Sequence, residues 1–292
     1  MVQDKSISSR IFDVVNYSLL TIIALVTFLP FIHIIAGSFT TAGELATKQL
    51  VLIPTTWSLD AYRYVFSTNT LFVALATSIG VTAGGTLFSM FLTALMAYGL
   101  SRRDLDGRST IMFLVVFTML FSGGMIPTFL VVKSMGLIDT YAALIIPTAI
   151  NAFNLIIMRN FFQNLPDGLE ESAKIDGASD WGILFRIVIP LSMPAIATIS
   201  LFYAVTYWNT YLTAILYLND AAKWPIQIIL RQIVVLSSGL AADTSGMDDF
   251  SRPPEQTVKM AVIVVATLPI LLVYPFLQKH FSKGALLGSI KG

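Results

Sequence analysis

Six apolar runs, each about long enough to cross the ~30 Å hydrocarbon core of a bilayer as a helix, constrain this chain more than any other feature. They lie at Tyr17–Phe39, Leu71–Leu100, Thr110–Val132, Tyr141–Met158, Pro194–Leu218 and Met260–Leu277. The fold class they predict is an all-α membrane protein with six transmembrane helices. Residues 1–16 form a cytoplasmic or interfacial N-terminal segment, 17–277 the six-span domain and 278–292 a cytoplasmic C-terminal tail. Of the 292 residues, 55% are hydrophobic and only 12% charged, about half the charge of a soluble domain.

Lysines and arginines set the orientation. With the N-terminus inside, 11 of the 18 fall in inner segments, which places both termini in the cytoplasm. Lys5 and Arg10 precede a first run too long for a signal-peptide core, so that run is read as a retained anchor. Ile7, Ile11, Phe12, Val15 and Leu19 recur at helical spacing. They fit either an amphipathic interfacial helix or an extension of the first span. Two outer loops are long, at residues 40–70 and 219–259. The second carries a helical stretch at Pro225–Leu236 and an acidic tract with Asp243, Asp248 and Asp249.

Several function classes fall away. A net charge of +1 offers no basic field for nucleic acid. With no cysteine and two histidines, neither a disulfide framework nor a structural zinc site is expected. None of the 17 Asp and Glu residues lies in a span, which disfavours an ion-coupled secondary sugar transporter, the alternative reading. His33 is better read as a hydrogen-bonded bundle histidine than as a proton relay. No paired nucleophile and base marks an intramembrane enzyme. No Gly-Lys dipeptide exists, hence no Walker A loop, and a pump built on this chain draws its energy from elsewhere.

The spans are uneven. Gly80 and Gly84 with nearby Thr and Ser residues favour close helix packing in span two. Ser122-Gly123-Gly124 and Pro127 predict a bend or break in span three. Asn151, Asn154, Tyr203, Trp208 and Asn209 combine amides with aromatic faces, which suits a sugar. The same residues also serve helix–helix bonding and core packing.

One polar segment stands apart, Leu165-Pro166-Asp167-Gly168-Leu169-Glu170-Glu171-Ser172-Ala173-Lys174-Ile175-Asp176-Gly177-Ala178. Asp167 with Glu170 reads as a capping box opening a helix over Gly168–Ile175, and Gly177 as its terminator. A second helix starts near Ser179 or Asp180. Taken alone, this is a solvated loop helix.

Together, Glu171-Ser172-Ala173-Lys174-Ile175-Asp176-Gly177-Ala178 and the following Ile187, Ile189-Pro190-Leu191 and Pro194 resemble the EAA loop of ABC-importer permeases. Ser172 replaces the first alanine of that pattern. Phe121–Pro127 and the tail Lys283–Gly292 resemble the carbohydrate, maltose-type branch, most of all permeases for complex oligosaccharides such as alginate importers. The resemblance implies a six-span permease core, with residues 159–190 forming a cytoplasmic coupling loop. In it Glu171, Ser172, Ala173, Asp176 and Gly177 meet an ATPase. The implied partners are a homologous permease, two ATPase subunits that bind ATP and Mg, and an extracytoplasmic solute-binding protein. No cofactor and no catalytic residue is expected in this chain itself. The implied location is the bacterial inner membrane. The resemblance implies an oligosaccharide and puts an acidic one such as alginate slightly ahead of a neutral one; the lack of an intramembrane carboxylate and Arg159 at the inner end of span four fit an acidic cargo but would serve a neutral sugar as well.

Overall fold

The computed structural model describes residues 7–67, 69–237 and 256–288, excepting the side chains of Ser8, Asp167, residues 234–237 and residues 274–288. The expected acidic tract with Asp243, Asp248 and Asp249 and the tail end, residues 289–292, lie outside the described residues. Backbone polar groups find no water in hydrocarbon, so apolar runs satisfy them internally as helices. In chain order these are α1 (Ile7–Ser38), α2 (Ala42–Thr47), α3 (Asp60–Ser67), α4 (Asn69–Ser101), α5 (Arg108–Leu120), α6 (Met125–Ser134), α7 (Ala142–Ile145), α8 (Ala152–Gln163), α9 (Asp167–Ile175), α10 (Asp180–Ile183), α11 (Ile189–Leu191), α12 (Met193–Trp208), α13 (Leu212–Tyr217), α14 (Ile226–Ser237) and α15 (Gln256–Gly288). Turns of 3₁₀ helix cover Ile146–Thr148 and Ala221–Lys223, and a π turn covers Leu184–Val188. No strand occurs among the described residues; Thr40 and Trp57 form an isolated antiparallel bridge.

Three helices are long and apolar enough to cross a bilayer, α1, α4 and the Gln256–Val273 part of α15. Three bent pairs bring the total to six if each counts as one span. Span three breaks at the expected place. The chain turns by 117° between α5 and α6, with Gly124 at a φ of 85° and Pro127 in the first turn beyond. One further break was not expected: span four bends by 55° between the Ala142–Thr148 segment and α8. A turn of 85° separates Asp180–Leu191 from α12, at the expected start of span five. Span five also ends earlier than expected, at Trp208, with α13 as a separate helix. Residues 7–16 continue the helix of the first span without interruption.

The chain divides into two compact units, residues 1–69 with 230–268, and residues 70–229 with 269–292. In the first, the segment after α1 is organised by one carboxylate. Glu44 accepts from Thr40 Oγ1 at 2.6 Å, Lys48 Nζ at 2.8 Å, and the Thr55 and Thr56 amides at 3.0 Å each; the Thr55 hydroxyl adds a further bond. The Lys48 ammonium, with the Thr40 and Thr55 hydroxyls, holds this carboxyl well below the usual carboxylate range. Ser38 Oγ pairs with Tyr62 Oη at 2.8 Å, and the Val51 amide donates to His33 Nδ1 at 3.1 Å. His33 is thus a backbone-bonded histidine with no carboxylate partner among its observed bonds.

In the second unit α8 packs against α5 and α12, with Leu155, Met158 and Ile199 fully buried between helices. Small residues on α4 admit large ones from α12. A Cβ on Gly85 would lie 2.9 Å from the Tyr207 ring. Ser89 Oγ then meets Tyr207 Oη at 2.7 Å, and Thr93 Oγ1 meets Tyr203 Oη at 2.8 Å. Both phenols also serve the break in span four. The Asn151 amide donates to Tyr203 Oη at 2.9 Å, and Tyr207 Oη donates to the Ile145 carbonyl at 3.4 Å.

Tyr203→Phe keeps the ring and strands the Asn151 amide, so it should destabilise the fold by about 1–2 kcal/mol. Tyr207→Phe should cost less, because its backbone bond is long. Unfolding of detergent-solubilised protein in increasing SDS measures both, and equal losses would contradict this ranking. In the other unit, Glu44→Gln places an amide donor among donors and should speed proteolysis within residues 40–57. A carboxyl with a depressed pKa stabilises fully above the ordinary carboxylate range and loses its contribution as pH falls through its folded value. Wild-type protection of this segment should therefore hold through neutral and mildly acidic pH and fail only in strong acid.

Candidate functional site

The α9 helix is short, and its two ends are made differently. It begins at Asp167 with Pro166 as its cap residue and no side-chain cap bond. Glu170, expected as one half of a capping box, turns its carboxylate to the guanidinium of Arg102, 68 residues away in sequence. The other end is as expected. Ala178 N–H bonds the Ala173 carbonyl at 2.9 Å and Gly177 N–H bonds Lys174 O at 3.0 Å, a Schellman pattern. Gly177 has a φ of 80°, which glycine adopts without steric cost, and an added Cβ there would meet nothing within 4 Å. Ser179 caps the next helix by accepting from Gly182 N–H at 3.2 Å.

Of the expected coupling residues, Glu171, Ser172, Asp176 and Gly177 are exposed and Ala173 is buried. The Ser172 hydroxyl is turned inward, donating to the Gly168 carbonyl at 2.8 Å. Ile175 is 86% exposed, and beyond the turn Trp181 and Phe185 stack at 6.1 Å with both rings solvent-accessible. The exposed side of this segment therefore offers an apolar knob, two carboxylates and a flat aromatic pair, a combination suited to seating in a partner's cleft. Beneath it lies a cavity of about 300 Å³, lined among others by Arg102, Phe162, Leu165, Glu170 and Lys174.

The residues expected to line a sugar path are brought together only in part. Asn151 is exposed and caps α8, its Oδ1 accepting from Asn154 N–H at 3.1 Å. Asn154 and Tyr203 are buried. Trp208 is 5% exposed with a buried, unbonded indole N–H. Asn209 is exposed and donates to Val205 O at 2.8 Å. Only Asn151 and Asn209 thus offer accessible amides, while Tyr203 ties helices together. Arg159 donates to the Leu100 carbonyl at 3.3 Å and to Asn160 Oδ1 at 2.9 Å.

Sequence reasoning missed two charged clips. For Arg102 the signal in the sequence is its place four residues after Tyr98 at the end of an apolar run. Asp139 has a φ of 62° and accepts from the Asn219 and Asp220 amides at 3.1 Å each and from Lys223 Nζ at 2.6 Å. The Lys223 ammonium lowers the Asp139 pKa, and the carboxylate raises that of Lys223 in return. This clip fixes the entry of the segment expected to be a long outer loop.

A family model described as "Binding-protein-dependent transport system inner membrane component" matches residues 85–286. The chain is 70% identical over 284 residues to the polygalacturonan/rhamnogalacturonan transport system permease protein YtcP of Bacillus subtilis (strain 168), covering 97% of this chain and 99% of that protein. Protein LplC of the same strain is 57% identical over 285 residues, covering 98% of this chain and 96% of LplC. The fold matches a solved bacterial ABC transporter involved in the import of the acidic polysaccharide alginate, with a TM-score of 0.88 and 35% identity, covering 96% of this chain and 100% of that one. The chain belongs to the inner membrane components of binding-protein-dependent transport systems, as a permease subunit of the ABC-importer class.

Proposed function

We propose that this permease conducts acidic, uronate-containing oligosaccharides into the cell. The observation that carries the cargo is the agreement of two relatives. The 70% identical permease is named for polygalacturonan and rhamnogalacturonan, and the 35% identical structure for alginate. A polyanion also passes more readily where fixed carboxylates are absent, and α4, α5, α6, α8 and α12 contain no Asp or Glu. Both termini lie in the cytoplasm in this reading. That places α9 on the side of two ATPase subunits, which hold ATP and Mg. A homologous permease completes the path, and an extracytoplasmic solute-binding protein delivers the sugar.

In this arrangement the exposed side of α9 seats in the ATPase cleft, with Glu171 and Asp176 bonding basic residues there. Gly177 keeps the turn low so that the backbone approaches closely. The fold asks Gly177 only for its left-handed backbone, a strain of about 1–2 kcal/mol for another residue. Gly177→Leu adds bulk to that strain. It should leave a folded permease that has lost most sugar-stimulated ATP hydrolysis, whereas Gly177→Asn, which tolerates the left-handed region, should keep more. Hydrolysis assays on the reconstituted complex read this directly, and wild-type stimulation in Gly177→Leu would overturn the docking role.

The cargo is tested by competition between oligogalacturonates and neutral oligosaccharides of equal length. The uronate series should compete and stimulate, and added salt should weaken its uptake, because screening shortens electrostatic steering to about 10 Å at 0.1 M. Selective stimulation by the neutral series would reverse the assignment.

A further inference from the structure

We infer that Arg102 is the positioning residue that links α9 to α4, so that a displacement of α9 is carried into the transmembrane bundle. This rests on reading α9 as the ATPase-docking helix. Ala173 is the one buried side chain among the described side chains of α9, so apolar packing alone holds the helix weakly. The polar link is stronger. Arg102 directs Nη1 to Glu170 on α9 and Nη2 to the Tyr98 hydroxyl on α4. Nη2 also reaches Asp180 Oδ1, on α10, at 3.4 Å. The guanidinium carbon sits 4.5 Å from the centre of the Tyr98 ring.

Burial decides which of these bonds matters most. The Arg102 and Glu170 side chains are 20% and 21% exposed, whereas Asp180 is 69% exposed. A sheltered pair is screened far less than an open one, so the Glu170 bond is the principal tie and Asp180 a secondary one. Tyr98 lies one helical turn before Arg102 and fixes the side chain from its own helix, by hydroxyl and by ring face. Lysine is a point donor and cannot reproduce a fork that serves α4, α9 and α10 at once.

The same α4 carries Ser89 and Thr93, which hold Tyr207 and Tyr203 beside the break in span four. Arg102 therefore stands just past one end of α4, and the helix itself joins it to these two bonds in the interior of the unit. Glu171, Ile175 and Asp176 remain exposed to face a partner, because the α9 carboxylate that Arg102 takes is that of Glu170.

The test uses the complete complex, with partner permease, ATPase subunits and binding protein, reconstituted in vesicles. Uptake of oligogalacturonate is divided by ATP hydrolysed. Arg102→Gln should lower that ratio about tenfold, the scale of a typical coupling energy, while the ATPase subunits still co-purify. The charge-swapped double variant Arg102→Glu with Glu170→Arg should recover most of the ratio, which a general loss of packing would not permit. A wild-type ratio in Arg102→Gln, or a swap no better than the single variant, would overturn the proposal. Should Arg102→Gln fail to reach the membrane, Glu170→Gln is read in its place. The same fall supports the link, and an unchanged ratio refutes it. ATPase subunits that fail to bind even the wild-type chain would instead strike the docking reading of α9, leaving the two failures distinct.

Discussion

A helix that stops inside a bilayer leaves amide and carbonyl groups with no water to bond, and the second unit is arranged around that cost. Span four breaks between Thr148 and Ala152, and the nearby groups of Asn151 and Ile145 find Tyr203 and Tyr207 of α12. Those phenols are held in turn by Thr93 and Ser89, and Gly85 makes room for a ring beside them. Each partner depends on the next. Without a small residue on α4 the ring does not fit, and without the ring the backbone break lacks a donor. Bending a span at that level then becomes compatible with a packed interior.

Charge is handled in a complementary way. Glu44, Asp139 and Glu170 lie outside the apolar runs, each is engaged by a nearby cation, and Glu44 and Asp139 gather further donors as well. Two of them tie loops, after α1 and before α14. The third ties α9 to the bundle while the carboxylates on its open side stay available. Paired carboxylates set the shape, and exposed ones remain for recognition.

What was legible in the sequence was what repeats or breaks locally. Apolar length gave the spans, Ser122-Gly123-Gly124 and Pro127 marked the break in span three, and Gly177 marked the end of α9. What was hidden depends on residues far apart in the chain. Asp167 and Glu170 have capping-box spacing, but a guanidinium 68 residues away competes for Glu170 more strongly than a local amide does. The break at Asn151 has no glycine beside it, and its stabilising hydroxyl comes from 52 residues onward. Tyr203 looked suited to a sugar for the same reason that it suits backbone, since a phenol both donates and accepts.

Gly177 separates two demands that usually coincide. Its backbone is left-handed, yet the space beside its α-carbon is empty in the isolated chain. The fold therefore constrains handedness there and not volume. A D-alanine introduced by chemical ligation would meet the first demand and violate only the second. Mirror-image substitution at this one carbon distinguishes what the turn requires from what a docked neighbour requires.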